Sequence, residues 1–422
     1  MSETVNISGK ASWLHDKSLQ ALFAALNRDG GEARAVGGAV RNTLLGTLVN
    51  DVDLATTHVP QETMRLAEAA GFKPVPTGIE HGTVTVVVNG QPFEVTTLRQ
   101  DIETNGRHAQ VAFGTDWKVD AERRDFTINA LYAKADGTVV DHVGGLADIE
   151  TRTLRFIGDA EQRIREDYLR ILRFFRFYAW YGAGRPDGDA LRASARLREG
   201  IRQLSAERIW AELKKLLSAE DPSRALLWMR QAGVLTEVLP ESEKWGIDAI
   251  HGLIRAENDL DWPVDCLLRL ESLLPPDAER MKALGQRLKM SNAERMRLEA
   301  WAAADKVEST LSEQALKLRI YRGQRQAVLD RIRLAYAAAR QAAVADNDAL
   351  IRAGNYARLL QLAENWQAPA FPVTGADLLQ KGFSKGPELG AALRRLETLW
   401  IDSGFGLDRR VLLDKLDQNS LL

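Results

Sequence analysis

Two aspartates separated by one apolar residue, Asp51-Val52-Asp53, stand thirteen residues after a diglycine in Val36-Gly37-Gly38-Ala39-Val40-Arg41. Two glycines between an apolar run and a helical pattern let backbone N–H groups come close to a phosphate chain. On a strand, residues two apart face one way, so both carboxylates project from one face while Val52 and Leu54 pack behind. Paired carboxylates repel each other unless a cation lies between them, and Mg²⁺ takes that oxygen environment together with phosphate co-ligands. Asp-x-Asp alone is more often a solvent-facing pair after a turn; the diglycine at this spacing shifts the balance toward a metal. Phe93-Glu94-Val95 adds a carboxylate between two apolar neighbours on another strand, facing away from the core. By itself this is ordinary alternation. With Asp51 and Asp53 it makes a three-carboxylate site able to hold two ions roughly 3.5–4 Å apart.

Two more clusters carry charge in usable patterns. Arg123-Arg124-Asp125 precedes a helical or turn segment containing Asn129. Guanidiniums near a carboxylate cluster call for an anion, and a triphosphate supplies one through charge-assisted bonds; in isolation the run would be a solvated surface. Glu166-Asp167-x-x-Arg170 falls in a helical pattern, where Asp167 and Arg170 are neighbours on one face. They present an acceptor and donors side by side, a match for the pairing edge of cytosine or, rearranged, of adenine. Taken alone they are a surface ion pair worth about 0.3–0.5 kcal/mol. Arg173 and Arg176 continue that ridge, which winds about 60° per step, so phosphate or structural contacts suit them better than the same base. Phe174, Phe175 and Phe177 read as core. The histidines show no metal spacing, and neither H-E-x-x-H nor a P-loop is present.

The elements that must position these groups are of two kinds. Between 34 and 155, short β-rich runs recur at Arg34–Val36, Asp51–Ala55, Thr83–Val88, Pro92–Thr97 and Thr138–Asp141. A helix from Pro60 to Ala70 lies between them, with Pro at its start and Gly71 at its stop. Gln100 to Gly114, including Gly106-Arg107-His108, reads as a loop. From Asp159 helix follows helix. The first is a continuous Asp159–Tyr181 that ends at Gly182-Ala-Gly-Arg-Pro186; Ser205 caps the next, and Asp221-Pro222 opens a third that Gly233 closes. The remainder is Leu/Ala/Arg-rich with helical spacing, broken at Leu274-Pro275-Pro276 and Phe371-Pro372, and most of its tryptophans read as packing. The architecture is an α/β head on an all-α body.

Composition agrees. The 422 residues suffice for two or more domains, and 45% hydrophobic with 27% charged residues exclude long-range disorder. Fifty-six basic against fifty-eight acidic residues give a net charge of −2, which excludes a uniformly basic coat but not local patches. The single cysteine, Cys266, excludes an intramolecular disulfide and a cysteine zinc finger. Met1–His15 has no apolar leader and no run of 18 apolar residues occurs, so a cytoplasmic protein with no membrane association is expected. No protein partner is legible.

In this order, the motifs resemble the polymerase-β-like nucleotidyltransferase superfamily. The details resemble its class II branch, the bacterial-type CCA-adding tRNA nucleotidyltransferases and bacterial poly(A) polymerases. The segments are Gly37-Gly-Ala-Val-Arg-Asn42 with Leu45-Gly46, Asn50-Asp-Val-Asp-Leu54, Arg123-Arg-Asp-Phe-Thr-Ile-Asn-Ala-Leu131, Asp141-His-Val-Gly-Gly145, Glu166-Asp-Tyr-Leu-Arg-Ile-Leu-Arg-Phe-Phe-Arg-Phe177 and Leu204-Ser-Ala-Glu-Arg-Ile209, covering about 31–240. Asn42 departs from the family's usual Asp after the Arg.

The resemblance implies a nucleotidyltransferase head with a polymerase-β-like mixed sheet, followed by an all-α body. Its parts would be an N-terminal segment 1–30, a catalytic head 31–155, a helical neck 156–240 and a tRNA-binding body 241–422. It implies Mg²⁺ held by Asp51 and Asp53, with Glu94 as the third catalytic carboxylate. Gly37, Gly38 and Arg41 would cradle a triphosphate and Arg124 would neutralise it, while Asp125 and Asn129 hold sugar or loop geometry. Asp167 and Arg170 would select C or A as a protein template, and the segment after Gln100 would serve the switch to the terminal A. The implied substrates are CTP, ATP and a tRNA 3′ end. Segment 185–230, with ten basic and seven acidic residues, fits an RNA surface. A poly(A) polymerase shares these motifs, but its basic Gly-Arg-Arg-Phe stretch is replaced here by Thr77-Gly-Ile-Glu-His-Gly-Thr83. An A-only or CC-only enzyme is a nearer variant. A noncatalytic RNA-binding protein on a decayed head is opposed by the intact Asp51, Asp53, Glu94 and Arg124.

Overall fold

A computed structural model describes residues 5–28, 30–105, 108–243 and 245–418, in two compact units, 1–244 and 245–422. The first begins with α1 (Lys17–Leu26) and then builds a sheet from β1 (Ala33–Val36), β2 (Asp53–Thr56), β3 (Lys73–Gly78), β4 (Thr83–Val88) and β5 (Gln91–Thr97). Its helices here are α2 (Gly38–Leu45), between β1 and β2, and α3 (Pro60–Ala69), between β2 and β3. A separate hairpin, β6 (Arg99–Asn105) with β7 (His108–Phe113), precedes α4 (Trp117–Glu122), and β8 (Leu131–Ala133) and β9 (Val139–Asp141) complete the sheet. Spatial order is β3-β4-β5-β2-β1-β8-β9. Only β2 and β5 run parallel; the other pairs are antiparallel, so the sheet is mixed, as the resemblance implied.

Local chemistry accounts for these elements. Thr83-Val-Thr-Val-Val-Val88 alternates half-buried and buried positions, the period of a strand with one face on the core. Pro60 occupies the first turn of α3, where its missing N–H leaves nothing unsatisfied. Asp116 caps α4 by accepting from the Lys118 N–H at 2.8 Å.

Three expectations need correction. The 100–114 segment is not a loop: the chain pairs Arg99 with Phe113 and Asn105 with His108. Gly106 and Arg107 lie outside the described residues. β2 starts at Asp53, so Asp51 sits in the approach to the strand and not on it. The continuous Asp159–Tyr181 helix is two helices, α6 (Ala160–Glu166, after α5 at Gly145–Thr151) and α7 (Leu169–Tyr181), with Asp167 between them in extended backbone at φ −156° and ψ 107°. Apolar spacing runs through the break because Ile164, Leu169, Ile171 and Leu172 are all buried. The Asp167 side chain accepts from the Leu169 N–H at 3.1 Å, a local side-chain-to-backbone bond at the start of α7.

The first unit closes with α8 (Gly188–Arg196), α9 (Ala206–Leu217), α10 (Ser223–Gln231) and α11 (Val234–Val238). Ser205 precedes α9 as expected, but its side chain makes no capping bond. Phe174 and Phe175 are fully buried and Phe177 nearly so, as the sequence implied. The second unit is helical: α12 (Ala249–Asp259), α13 (Cys266–Ser272), α14 (Ala278–Arg287), α15 (Asn292–Ala303), α16 (Glu313–Arg322), α17 (Arg325–Ala342), α18 (Asn347–Asn365), α19 (Gly375–Gln380), α20 (Pro387–Asp402) and α21 (Arg409–Gln418). One core joins α16, α17 and α18 around Leu316, Ile332 and Leu359, and another gathers Trp400, Leu396 and Leu412. No helix among the described residues is long and apolar enough to cross a membrane.

Candidate active site

The site grows from the point where β1 ends. Gly37 has φ 66° and ψ −111°, a conformation that glycine alone adopts without strain, and it turns the chain into α2 at Gly38. The first N–H groups of α2 are left for an anion. β1 pairs with β2 so that Val36 lies opposite Asp53, which brings the acidic pair beside the glycine turn.

On the other side of β2 lies β5, with Leu54 opposite Val95 in parallel register. Both are buried, so Asp53 and Glu94, one residue earlier on each strand, emerge together on the opposite face. Surrounding protein desolvates the Asp53 carboxylate, and Glu94 and then Asp51 repel it; together they hold it above the ordinary carboxylate range, with Arg124 pulling the other way. Glu94, Asp51 and Arg124 therefore all act on one carboxylate. Among the described residues no three His, Cys, Asp or Glu side chains form a group able to hold an ion as they stand. Glu94 joins the pair through its field on Asp53, not as a preformed third ligand. The donor set is all oxygen and carries excess negative charge, which fits a hard divalent cation.

Arg124 is aimed by a residue the sequence reading missed. Asp120, on α4, is 1% exposed and accepts from Arg124 Nε at 3.3 Å, Arg123 Nε at 2.8 Å, the Tyr132 hydroxyl at 2.8 Å and the Arg99 N–H at 3.2 Å. Burial alone would raise its carboxyl; Arg124, Arg123 and the Tyr132 hydroxyl overcome this and bring it down to about 2. The i, i+3 and i, i+4 spacing to the two arginines was a visible signal. The Arg99 bond was not, because it joins the root of β6.

Asp125 and Asn129 hold loop geometry. Asp125 accepts from its neighbour Phe126 N–H at 2.9 Å, from Asn129 Nδ2 at 3.0 Å and from Arg173 Nε at 2.8 Å. Asn129 in turn accepts from Arg41 through Oδ1. Arg41 is engaged by protein partners throughout: Asn129, Asn42 Oδ1 at 2.9 Å and the Tyr181 hydroxyl at 2.8 Å, with its guanidinium 4.0 Å over the Tyr181 ring. It braces the glycine turn against α7, with four of its N–H groups on protein acceptors. Asn42, the departure from the family pattern, serves the same brace and donates to the Leu48 carbonyl at 2.8 Å.

The expected Asp167–Arg170 pair does not form. The helix break turns Asp167 toward Arg208 of α9, 2.6 Å from its carboxylate. Arg170 instead donates to the Arg163 carbonyl at 2.8 Å and pairs with Glu166. Arg208 stood within a quoted motif, but nothing in its spacing marked it as the partner of a residue 41 positions away. Arg173 and Arg176 take the structural alternative: Arg173 on Asp125, and Arg176 Nε 3.1 Å from the buried Glu212. Arg163, also unforeseen, ties the carbonyls of Arg123 and Arg124 to this helix pair.

The family profile described as the poly(A) polymerase head domain matches residues 33–155, and one described as a probable RNA and SrmB-binding site of polymerase A matches 186–245. The mitochondrial CCA tRNA nucleotidyltransferase 1 of Mus musculus is 37% identical over 94% of this chain and 88% of its own. The CCA-adding enzyme of Levilactobacillus brevis is 33% identical over 89% of this chain and 91% of its own. The crystal structure of the Bacillus stearothermophilus CCA-adding enzyme in complex with CTP superposes with a TM-score of 0.72 at 24% identity, covering 95% of this chain and 97% of that one, a likeness that speaks for the fold. The chain belongs to the family of CCA-adding tRNA nucleotidyltransferases, with the head domain described for poly(A) polymerases.

Proposed function

We propose that the protein adds C, C and A to the 3′ end of tRNA, taking CMP from CTP and AMP from ATP and releasing pyrophosphate, with no nucleic-acid template. The observation that carries the reading is the strand pairing that sets Asp53 beside the Gly37 turn and on one sheet face with Glu94, where Glu94, Asp51 and Arg124 all act on its carboxyl. Support for CCA addition over poly(A) synthesis comes from full-length relatives of that name at above 30% identity.

In this reading 31–155 is the catalytic head, 156–240 the neck and 241–422 the tRNA-binding body. Asp51 and Asp53 would hold divalent ions, taken as Mg²⁺, which when bound neutralise the triphosphate and acidify the attacking 3′-hydroxyl. Gly37 and Gly38 keep the backbone near the phosphates, and Arg124, aimed by Asp120, neutralises the charge that builds on the leaving pyrophosphate. Arg41, Asp125, Asn129 and Arg173 fix the turns that carry these groups. Arg176 steadies α7 through Glu212. Asp167, held by Arg208, and Arg170, held by Glu166, offer the acceptor and donors that read the base. A reducing compartment, the cytoplasm, suits the lone cysteine.

The test supplies purified protein with tRNAs ending before the first C, after the second C and after the A, each with labelled CTP or ATP alone. The first should accept only C, the second only A and the third neither. Repeated A addition to any end would instead mark a poly(A) polymerase.

A further inference from the structure

In the proposed function two stretches of chain share the nucleotide, Asp167 with Arg170 at its base and Arg124 at its phosphates. One buried side chain touches both stretches. Arg163, on α6 and 8% exposed, donates through Nη2 to the carbonyls of Arg123 and Arg124 and through Nη1 to Glu166. The same Glu166 oxygen, Oε2, accepts from Arg170 Nη1, and that nitrogen also donates to the Arg163 carbonyl at 2.8 Å. Two guanidiniums thus divide one carboxylate. Burial, and after it Arg170, bring Arg163 below the ordinary arginine value, with Glu166 opposing them, so the charge on Arg170 is felt at Arg163. Arg124 is held at two points: its guanidinium rests on Asp120 and its carbonyl on Arg163.

We propose that Arg163 is a positioning residue that couples base reading to nucleotidyl transfer. A base that accepts from Arg170 competes with Glu166 for that guanidinium, and the share of Glu166 that Arg170 gives up falls to Arg163. Arg163 in turn sets the backbone from which Arg124 reaches the triphosphate. Resting on the proposed function, this coupling makes selection act on turnover as well as on binding. A mismatched base leaves Arg124 off its place even when the triphosphate is bound, and small displacements of such a group are costly in rate. A tie that only held the fold together would serve every nucleotide alike.

The test compares CTP with UTP, which puts a carbonyl where cytosine carries its amino group. Single-turnover transfer to tRNA ending before the first C is measured for the full-length parent, Arg163→Lys, Asp167→Ala and the double variant. Lysine keeps the charge, but its one nitrogen cannot span both carbonyls and Glu166. In Arg163→Lys the rate at saturating CTP should fall roughly 10–100-fold while the half-saturating concentration stays within about threefold. The rate with UTP should fall much less, so the preference for CTP narrows. With Asp167 already replaced, adding Arg163→Lys should narrow it no further. If the lysine variant does not fold, hydrogen exchange in the parent reads the same link: backbone N–H groups over 121–131 should slow more with saturating CTP than with saturating UTP. Equal losses for CTP and UTP, an unchanged rate, a further narrowing in the Asp167→Ala background, or equal slowing by the two nucleotides would overturn the coupling and leave the proposed function standing. A parent that transfers no CMP would overturn that function, and the coupling with it.

Discussion

Asp120 shows how one unforeseen side chain sets the chemistry of a predicted one. Its carboxylate gathers Arg123, Arg124, Tyr132 and the Arg99 N–H, so the direction in which Arg124 points depends on a residue that never has to touch substrate. A folded value of about 2 against 3.8 for the free side chain corresponds to on the order of 2 kcal/mol of stability. Because the folded value is the lower one, that stability is fully present above pH ~4 and is lost as pH falls from about 4 toward 2. Urea unfolding should therefore find Asp120→Asn less stable than the parent at pH 6, with the gap narrowing at pH 3. A gap of equal size at both pH values would remove the ionic role. At the proposed base-reading site, Arg208→Ala should loosen the choice between CTP and ATP in the same direction as Asp167→Ala, because Arg208 holds that carboxylate. Unchanged nucleotide preference in single-nucleotide incorporation would contradict the link.

Elements follow from local chemistry wherever period and punctuation agree. β4 and the Pro60 helix were legible for that reason. β3 was not among the strands named from sequence: Pro74 and Pro76 within Lys73–Gly78 argue against a strand, yet it lies at the sheet edge, where proline is tolerated. The β6–β7 hairpin was read as a loop because the largely polar sequence of Arg99–Asn105 shows no strand-like apolar alternation. Its root is tied through the Arg99 N–H to Asp120, which also aims Arg124, and this gives the segment a route to the residue proposed to meet the triphosphate. Replacing 100–112 by a short glycine linker should leave addition of the two C residues and depress addition of the terminal A, measured on tRNA ending before and after the two C positions. Equal loss at all steps would make the hairpin a general structural support. The break at Asp167 escaped notice because hydrophobic spacing reports which side is buried, not whether the backbone hydrogen bonds are continuous.

Across the molecule, identity was more legible than contact. Short motifs specify residue types at local spacing, and they carried the mixed sheet, the acidic pair and the family. Partners such as Asp167 with Arg208, or Arg41 with Tyr181, lie 41 and 140 positions apart and depend on tertiary packing that no local pattern encodes. At this scale a net charge of −2 also makes a prediction. RNA must be held by local arginine patches, so raising salt should raise the KM for tRNA steeply while moving the KM for CTP much less. Equal salt dependence for both substrates would argue against a phosphate-tracking RNA surface. The central claim, that Asp51 and Asp53 bring divalent ions to the triphosphate, is tested most directly by single-turnover transfer of labelled CMP to tRNA truncated before its CCA end, with Asp51→Ala and Asp53→Ala each titrated with Mg²⁺. The account predicts unfolding curves like the parent's and a rate at least roughly 10²–10³-fold lower; a variant that transfers CMP at nearly the parent's rate and Mg²⁺ requirement would contradict it.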